Sequence, residues 1–423
     1  MKGREMTGDL EAEARRLDET DPLPAARAEF HVPPAPGGLY EESAYFAGNS
    51  LGLQPRAVAG RVREELQDWA RLGVEGHTQA RRPWVDYHEL LREPTARLVG
   101  ALPHEVVAMN SLTVNLHLMM ATFYRPAGER TRIVIEDSAF PSDSYAVASQ
   151  AVHHGLDPAE TVVRLRPRAG EEHLRTEDIV DLLERDGHRF AVVLLGGVNY
   201  LTGQLMDMQA ITKAGRAAGA VVGWDLAHAA GNVPLHLHDW DVDFAAWCTY
   251  KYLNSGPGAV AGCFVHERHV RNRSLPRLAG WWGTDPATRF RMEPEISPPA
   301  SADAWQLSNP PIMALAPVLA SLEIFDRYGM EALRARSERL TGYLAARLAG
   351  VAEVITPADP VARGCQLSLR VSDAGGLVRR LAGSFGVIAD AREPDVVRLA
   401  PVPLYNTFHD CHRVAEALAG IKG

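Results

Sequence analysis

Ala220-Val221-Val222-Gly223-Trp224-Asp225 is a short apolar run that ends in an aspartate, and Asp243-Phe244-Ala245-Ala246-Trp247-Cys248-Thr249-Tyr250-Lys251 is a second run that leads to a lysine. Such continuous apolar runs are typical of strands buried on both faces of a mostly parallel sheet. Neighbouring parallel strands end at the same edge of the sheet, where functional side chains collect. We therefore expect Asp225 and Lys251 to lie in one site.

A pair of this kind has a specific chemical use. A lysine amine forms a covalent Schiff base with pyridoxal phosphate (PLP), and an aspartate holds the pyridinium nitrogen of the same cofactor. Either residue alone also has an ordinary explanation, as a strand-end aspartate or a solvated lysine. The surrounding residues have to decide between these interpretations.

Further apolar runs predict strands before and after this pair, and a helix pattern over 208–218 separates two of them. The predicted strands of this region cover 132–136, 191–195, 220–225, 243–248 and 259–265. The last strand follows its predecessor so closely that it could be an antiparallel hairpin partner. Strands alternating with helices predict an α/β fold with a mostly parallel central sheet in a large domain.

A smaller domain is predicted to follow the proline-rich stretch from Pro294 to Pro317. A long helical pattern over about 312–348 precedes strand candidates at 366–371, 387–389 and 396–399, which mix with helices as in an α+β domain. We expect an N-terminal segment over 1–55 that packs on the small domain, a large domain over 56–310, and a small C-terminal domain over 311–423.

Residues 1 to about 40 are predicted to be a loosely structured lead-in. Prolines oppose helix formation there, at positions 22, 24, 33, 34 and 36. A short strand is expected over 44–47. Apolar residues at spacings of three and four predict a helix from residue 55 onward, at Val58, Val62, Leu66 and Trp69. A second helix is expected over 88–99.

Composition excludes several classes of function. The 423 residues are 46% hydrophobic with a net charge of -9, an ordinary globular composition without the basic stripe that nucleic-acid binding requires. No apolar run approaches the roughly 18 residues of a membrane span, and the N-terminus lacks the apolar core of a secretory signal. The four cysteines are scattered, which predicts reduced thiols in a cytoplasmic protein.

Two other motifs favour different chemistry. Gly48-Asn49-Ser50-Leu51-Gly52 matches the G-x-S-x-G pattern of serine hydrolases, but too few residues precede it to form the strands before such a serine. His236 and His238 could share a strand face and bind a metal, yet no third ligand with typical spacing is evident. We predict no metal, and the absence of G-x-G-x-x-G and P-loop motifs leaves nucleotide binding without support.

Two more segments fit the PLP hypothesis. Asn110-Ser111-Leu112-Thr113-Val114-Asn115 begins an apolar helical run, and the free N–H groups of a helix start are a natural phosphate site. Phe140, in Phe140-Pro141-Ser142-Asp143, could stack on a flat cofactor ring. The order of phosphate site, aromatic residue, aspartate, histidine and lysine is that of PLP enzymes with the aspartate-aminotransferase fold.

At this level of detail the chain resembles the kynureninase family, PLP-dependent hydrolases that cleave kynurenine to anthranilate and alanine. The resemblance runs from about Tyr45 to Asp410 and implies the PLP-dependent transferase fold of type I. It rests on eight segments: Phe46–Pro55, Leu112–His117, Phe140–Asp143, Asp225–Ala229, Tyr250–Asn254, Gly280–Gly283, Ser308–Ile312 and Arg398–Asn406.

The resemblance also implies residue roles. Lys251, the covalent attachment point, and Tyr250 would be the catalytic residues that transfer protons. The implied cofactor contacts are Leu112, Thr113, Phe140, Ser142, Asp143, Gly196, Asp225, His228, Tyr250, Lys251, Trp281 and Asn309. The implied substrate contacts are Asn49, Ser50, His77, Ser308, Asn309 and Arg398, with Arg398 as a bidentate clamp on the carboxylate. Trp281 and Asn309 would come from the neighbouring subunit of a homodimer.

Gly196 departs from the family pattern, which has a serine at this position. A hydroxyl near the cofactor would be absent, with water or Asn199 as the candidate substitutes. His77, together with Ser308 and Asn309, is similar to the pattern of members that accept 3-hydroxykynurenine. Kynurenine, 3-hydroxykynurenine and other ring-substituted kynurenines therefore all remain open as substrates.

Three alternative classes remain at this point. The first is another PLP enzyme of the same fold, such as a cysteine desulfurase or an aminotransferase. The second is a serine hydrolase that uses Ser50. The third is a non-catalytic binding protein that has kept the fold, against which the intact Asp225, Lys251 and Arg398 argue.

Overall fold

The computed structural model describes residues 2–23, 26–35 and 40–422. Its strands are β1 Phe30–His31, β2 Ala44–Tyr45, β3 Gln54–Pro55, β4 Val106–Ala108, β5 Arg132–Glu136, β6 Val162–Leu165, β7 Phe190–Gly196, β8 Val221–Asp225, β9 Phe244–Trp247, β10 Gly262–Val265, β11 Glu353–Val354, β12 Leu367–Arg370, β13 Val387–Ile388, β14 Asp390–Arg392 and β15 Val396–Leu399. Each strand predicted from the sequence is present, with its ends within three residues of the predicted ones.

The α-helices are α1 Lys2–Glu19, α2 Ala57–Leu72, α3 Gly76–Gln79, α4 Arg92–Val99, α5 Leu112–Phe123, α6 Pro141–His153, α7 Pro158–Thr161, α8 Thr176–Asp186, α9 Met208–Ala217, α10 Glu267–Val270, α11 Ile312–Tyr328, α12 Met330–Leu348, α13 Ala374–Phe385 and α14 Phe408–Lys422. None of the helices among the described residues is long and apolar enough to span a membrane.

The central sheet has the strand order β4-β10-β9-β8-β7-β5-β6. Five consecutive strands of this sheet run parallel to one another: β9, β8, β7, β5 and β6. Strand β10 is antiparallel to both β9 and β4. Helices between the strands cover the sheet, so the apolar strand residues are buried on both faces. The predicted α/β fold, with its mostly parallel sheet and antiparallel hairpin partner, is confirmed.

The carboxyl ends of three neighbouring parallel strands meet at one edge of this sheet. Asp225, the last residue of β8, lies beside Gly196, the last residue of β7. Glu136 is the last residue of β5, which pairs with β7 on the side of β7 that faces away from β8. Three strand ends therefore deliver two carboxyl groups and a glycine to the same place.

The prediction of an unstructured N-terminal lead-in was wrong for its first half. Helix α1 extends from Lys2 to Glu19, because the prolines begin only at position 22 and cannot oppose a helix that ends before them. The Asp18 carboxylate accepts backbone N–H groups from the first turn of α14 at 2.7 and 3.0 Å, which fixes α1 on that helix. Pro24 and Pro36 lie outside the described residues.

The C-terminal part contains an antiparallel sheet with the order β11-β12-β15-β14. Its apolar residues form one cluster with α12 and α14, and Ala14, Ala44 and Phe46 from the N-terminal part belong to the same cluster. The helical pattern expected over 312–348 is interrupted at Gly329, whose φ of 74° ends α11 and begins α12. Most residues of α11 pack with the core of the large sheet.

Helix α2 is present as predicted, and Val62 packs against the core, but the later part of its apolar stripe faces solvent. Leu66 and Trp69 are 48% and 59% exposed, whereas Glu65 and Asp68 are buried. The Glu65 carboxylate accepts hydrogen bonds from the Arg82 guanidinium and the Trp84 indole, and Asp68 accepts the backbone N–H of Arg81. Periodicity located this helix correctly but did not indicate which face is buried.

His238 lies in a small polar cluster without His236. Ligand-type atoms of Glu105, His238 and His266 lie within 4.8 Å of one another. The Glu105 carboxylate already accepts two backbone N–H groups and His238 Nδ1, and His266 Nδ1 accepts the Arg268 N–H. Because protein N–H groups already donate to the Glu105 carboxylate and to His266 Nδ1, these side chains connect neighbouring loops by hydrogen bonds.

Candidate active site

A cavity of about 150 Å³ opens at the edge of the sheet where β5, β7 and β8 end. Ten of the twelve predicted cofactor contacts line it: Leu112, Thr113, Phe140, Ser142, Asp143, Gly196, Asp225, His228, Tyr250 and Lys251. Asp225 at the end of β8 and Lys251 after the end of β9 reach the same rim because these two strands are parallel neighbours.

Lys251 lines the cavity beside His228 and Phe140. Its Nζ lies 3.1 Å from Nε2 of His228 and 5.8 Å from the centroid of the Phe140 ring. Burial, and secondly the Lys251 charge, hold the pKa of His228 well below its ordinary value. The imidazole is therefore neutral near pH 7 and accepts a hydrogen bond from the lysine amine, while its buried Nδ1 has no partner among the described residues.

Asp225 and Asp143 form a buried carboxyl pair in the lining of the cavity. Burial raises the pKa of both side chains, and the neighbouring Asp225 raises the pKa of Asp143 further. The Asp225 Oδ1 also accepts the Ala227 N–H at 2.6 Å, which keeps Asp225 the more acidic partner. Two carboxylates this close share a proton or a cation, so the pair is suited to a positively charged ring nitrogen.

Two helices begin at the cavity, and both leave their first N–H groups without a side-chain cap. Helix α5 starts at Leu112 and helix α6 starts at Pro141. The hydroxyls of Thr113 and Ser142, each in a first helical turn, are 2.7 Å apart. Free N–H groups, hydroxyls and two helix dipoles of the same sign make this an anion site.

The sequence prediction missed Glu136, whose carboxylate fills the space beside Gly196. Glu136 lines the cavity and is 3% exposed. It accepts the Gly196 N–H at 2.7 Å and the Asn199 Nδ2 at 2.6 Å. Burial raises its pKa, and the nearby Asp225 adds to this effect. The signal was available, because Glu136 ends a buried strand in the same way as Asp225.

Glu136 also explains why position 196 is a glycine. A Cβ atom built at Gly196 would lie 2.9 Å from Oε1 of Glu136. We expect Gly196→Ser to lower the free energy of unfolding of the cofactor-free protein by about 1–3 kcal/mol, the usual effect of overpacking a buried site. Denaturant titration measures this, with Gly196→Ala as the control that adds the Cβ without a hydroxyl.

A second substitution separates overpacking from other causes. Combining Gly196→Ser with Glu136→Asp shortens the opposing carboxylate and should recover part of the lost stability, because the two changes share one space. Equal stability of Gly196→Ser and the native protein would contradict this account of the pair.

Arg398, on β15, lies behind the cavity wall and is 1% exposed. Its Nη1 donates to the carbonyl oxygen of Tyr200 at 2.7 Å, and its Nε donates to Oδ1 of Asp390 at 3.2 Å. Its Nη2 is 2.9 Å from Asp390 Oδ2 but lacks the angle of a hydrogen bond, so this buried group has no aligned acceptor. A free guanidinium donor next to a site is suited to a carboxylate ligand.

Asn49 and Ser50 approach from the N-terminal part of the chain. Asn49 is buried and donates from Nδ2 to Gln366 Oε1 at 2.8 Å, while its Oδ1 has no partner among the described residues. Ser50 Oγ accepts from Nη2 of Arg392 at 3.3 Å. Ser50 Oγ has no hydrogen bond to an imidazole among the described residues, so Ser50 lacks the base that a nucleophilic serine needs.

Seven predicted contacts do not line this cavity: Asn49, Ser50, His77, Trp281, Ser308, Asn309 and Arg398. His77, Ser308 and Asn309 are exposed, and Trp281 is 43% exposed. The segments of Trp281 and Asn309 lie side by side, because the Trp282 N–H donates to the carbonyl oxygen of Leu307 at 3.2 Å. These residues are therefore available on the surface of the chain.

The cavity fits PLP at each of the three groups that define this cofactor. The anion site at the starts of α5 and α6 suits the phosphate, the Asp143–Asp225 pair suits the ring nitrogen, and the Lys251 amine suits the aldehyde. Phe140 is 44% exposed, so its ring face is uncovered toward the cavity.

Comparisons with known proteins agree with this assignment. The family model described as aminotransferase class-V matches residues 44–372, and the model described as kynureninase C-terminal domain matches residues 333–418. The chain is 66% identical to a kynureninase of Salinispora tropica over 97% of this chain and 96% of the relative. It is 58% identical to a kynureninase of Myxococcus xanthus, over 97% of each chain.

Solved structures similar to this chain share its fold. The cystine C–S lyase C-DES, in complex with its reaction product cysteine persulfide, superposes with a TM-score of 0.77 at 18% identity, over 89% of this chain and 97% of that one. The cysteine desulfurase CsdA from Escherichia coli gives a TM-score of 0.73 at 20% identity, over 92% and 96%. With the fold, the cofactor cavity and the sequence identity in agreement, this chain belongs to the kynureninase family.

Proposed function

We propose that this protein is a PLP-dependent hydrolase that cleaves the Cβ–Cγ bond of L-kynurenine, giving anthranilate and L-alanine. The observation that carries the proposal is the position of the Lys251 amine, 3.1 Å from the neutral His228 and below the open face of Phe140, in a cavity that also holds the Asp143–Asp225 pair. High identity to kynureninases along nearly the whole chain supports the same activity.

When bound, PLP acts as an electron sink that stabilises negative charge on the substrate carbon next to the amine. Lys251 would hold the cofactor covalently, and its amine would take the proton from Cα of the substrate. His228 holds the lysine amine in position through its Nε2. Hydrolysis then adds the hydroxyl of water to the carbonyl carbon and a proton to Cβ.

Tyr250 is the second proton donor in this proposal. Burial raises the pKa of its phenol above the ordinary value, so the phenol keeps its proton at neutral pH. Tyr250 lines the cavity, and its ring lies 5.9 Å from the Lys251 amine. It is therefore placed to supply the proton that Cβ needs when alanine forms.

The substrate carboxylate is expected to bind Arg398, whose Nη2 has no aligned acceptor. Asn49 and Ser50 are proposed to lie beside the same end of the substrate. The ring substituent stays open between kynurenine and 3-hydroxykynurenine, with His77, Ser308 and Asn309 as the residues proposed to contact the ring or its hydroxyl.

We propose a homodimer in which Trp281 and Asn309 complete the phosphate site of the partner subunit. Both residues lie outside the cavity of their own chain. Large apolar side chains are exposed on the same part of the protein, including Phe290 at 58% and Met292 at 68%. Exposed apolar surface of this kind is typical of an interface between subunits.

Subunit mixing tests the shared site. Lys251→Ala and Trp281→Ala homodimers should each be impaired, but each mixed dimer would contain one native site and one doubly defective site. Equal mixing with full subunit exchange should therefore recover about a quarter of the native activity. Failure to exceed the activity of the Trp281→Ala homodimer would place Trp281 in the site of its own chain.

The domain limits and the cellular compartment are proposals of the same kind. We propose an N-terminal segment over 1–55 that packs on the small domain, a large domain over 56–310 and a small domain over 311–423, consistent with the cluster that Ala14, Ala44 and Phe46 share with α12 and α14. All four cysteines are free and buried, which supports a reducing compartment such as the cytoplasm.

A direct assay decides the reaction. Purified holoenzyme is given L-kynurenine and 3-hydroxykynurenine in competition, and the aryl acids and alanine are quantified together. Anthranilate or 3-hydroxyanthranilate in equal amounts with alanine is the expected result. Sulfide released from cysteine, or a keto acid formed from the substrate, would instead assign the protein to the desulfurases or aminotransferases of the same fold.

A further inference from the structure

Two charged residues of β14, Asp390 and Arg392, lie on the same face of the small sheet as Arg398. In the antiparallel pair of β14 and β15, Asp390 is directly opposite Arg398. Arg392 is two residues beyond Asp390 on β14, so its side chain leaves the strand on the same face. The strand pairing therefore places Asp390, Arg392 and Arg398 together.

Asp390 is a shared counter-ion for the two arginines. Its Oδ1 accepts Arg398 Nε at 3.2 Å, its Oδ2 is 2.9 Å from Arg398 Nη2, and the same Oδ2 accepts Arg392 Nη2 at 3.0 Å. The Asp390–Arg398 pair alone has no net charge and would attract a substrate carboxylate only weakly. With Arg392 the group carries one positive charge, which is what an anionic ligand requires.

Arg392 also has a donor left over and contacts a predicted substrate residue. Its buried Nε has no partner among the described residues. Its Nη2 lies 3.3 Å from Oγ of Ser50, the residue that follows Asn49 in the chain. The charges of Arg398 and Arg392 both contribute, after burial and Lys251, to the lowered pKa of His228, so both guanidinium groups act on the cavity.

We propose that Arg392 is a second substrate-binding guanidinium, which acts with Arg398 on the α-carboxylate of the amino-acid substrate, and that Asp390 positions both groups. The proposal rests on the proposed function for the identity of the substrate. Arg392 is a specificity residue: it selects ligands that carry an α-carboxylate over amines that lack one.

The test compares Arg392→Gln with Arg370→Gln in the holoenzyme. Arg370 is a matched control, because it lies on β12 of the same sheet and its side chain is 35% exposed like that of Arg392. Its carboxylate partners among the described residues are all on the surface. Three probes are measured: the dissociation constant of L-alanine from the visible spectrum of the cofactor, the KM for L-kynurenine, and inhibition by kynuramine, the decarboxylated analogue of kynurenine.

Arg392→Gln should weaken L-alanine binding and raise the KM for L-kynurenine by about 10-fold or more, since a charge-assisted hydrogen bond is lost. Inhibition by kynuramine should stay within about twofold of the native value, and kcat should fall less than KM rises. Arg392→Lys should restore part of the alanine affinity because it keeps the charge. Arg370→Gln should change none of these values.

Equal weakening of alanine and kynuramine would overturn the proposal, because it would indicate a structural effect of Arg392 on the whole cavity. Unchanged alanine binding in Arg392→Gln would also overturn it. A native protein that binds alanine but does not cleave kynurenine would overturn the proposed function alone, since the alanine titration does not depend on turnover.

Discussion

Replacing Lys251 with alanine is expected to lower the rate of kynurenine cleavage by at least about 10³-fold and to abolish covalent attachment of the cofactor. The chain contains only four lysines, at positions 2, 213, 251 and 422. Lys251 is the one that lines the cavity among the residues that the structure describes. Within that part of the chain no neighbouring lysine is in place to substitute for it, either as the attachment point or as the base at Cα.

Reductive trapping measures the first part of this prediction. Borohydride treatment of the native holoenzyme should fix the cofactor on one peptide, which contains Lys251, and should label nothing in Lys251→Ala. Lys213→Ala, a change in helix α9, is the matched control and should keep both label and turnover. Full turnover by Lys251→Ala, or a label on a different lysine, would contradict the assignment.

Much of this site could be predicted because its chemistry lies where strands end. Asp225 and Lys251 each follow a buried apolar run, and a parallel sheet brings such ends together. Glu136 obeys the same rule and could have been found by applying it to β5 as well. Glycine at 196 then follows from Glu136, since the carboxylate occupies the space that a Cβ would need.

Other features depend on contacts that a local pattern does not contain. Asp390 and Arg392 lie beside Arg398 because β14 pairs with β15, far from the cavity strands in sequence. Leu66 and Trp69 fit a regular helical pattern, yet both are exposed, because buried hydrogen-bonded carboxylates anchor another face of α2. Helix α1 was not predicted, because the prolines at positions 22 to 36 were taken to oppose a helix over the whole lead-in. They all follow the end of α1 and do not affect the residues before them.

Replacing Asp225 with asparagine is the second change with a large expected effect. Asparagine keeps the size of the side chain but cannot hold a positive charge on the ring nitrogen of the cofactor, so the electron sink is weakened. We expect kcat/KM for L-kynurenine to fall by about 10²–10⁴-fold. Asp143→Asn should have a smaller effect, because Asp225 keeps the hydrogen bond from the Ala227 N–H and remains the ionised partner.

The same substitution should stabilise the cofactor-free protein. Burial raises the pKa of Asp225 and of Asp143 above the values in the unfolded chain, so the folded state holds protons that the unfolded state has already lost. Stability therefore decreases as the pH rises from the unfolded carboxyl pKa through the raised folded values.

Asp225→Asn removes one member of the pair, and its Tm advantage over the native protein should grow across that window. Thermal unfolding of both cofactor-free proteins from acidic to neutral pH measures the difference, and a Tm difference that does not change with pH would rule out a strained carboxyl pair. A variant that gains Tm in this way and still loses turnover would separate the two roles of Asp225, since the charge that lowers the stability of the empty site is the one that holds the cofactor cation.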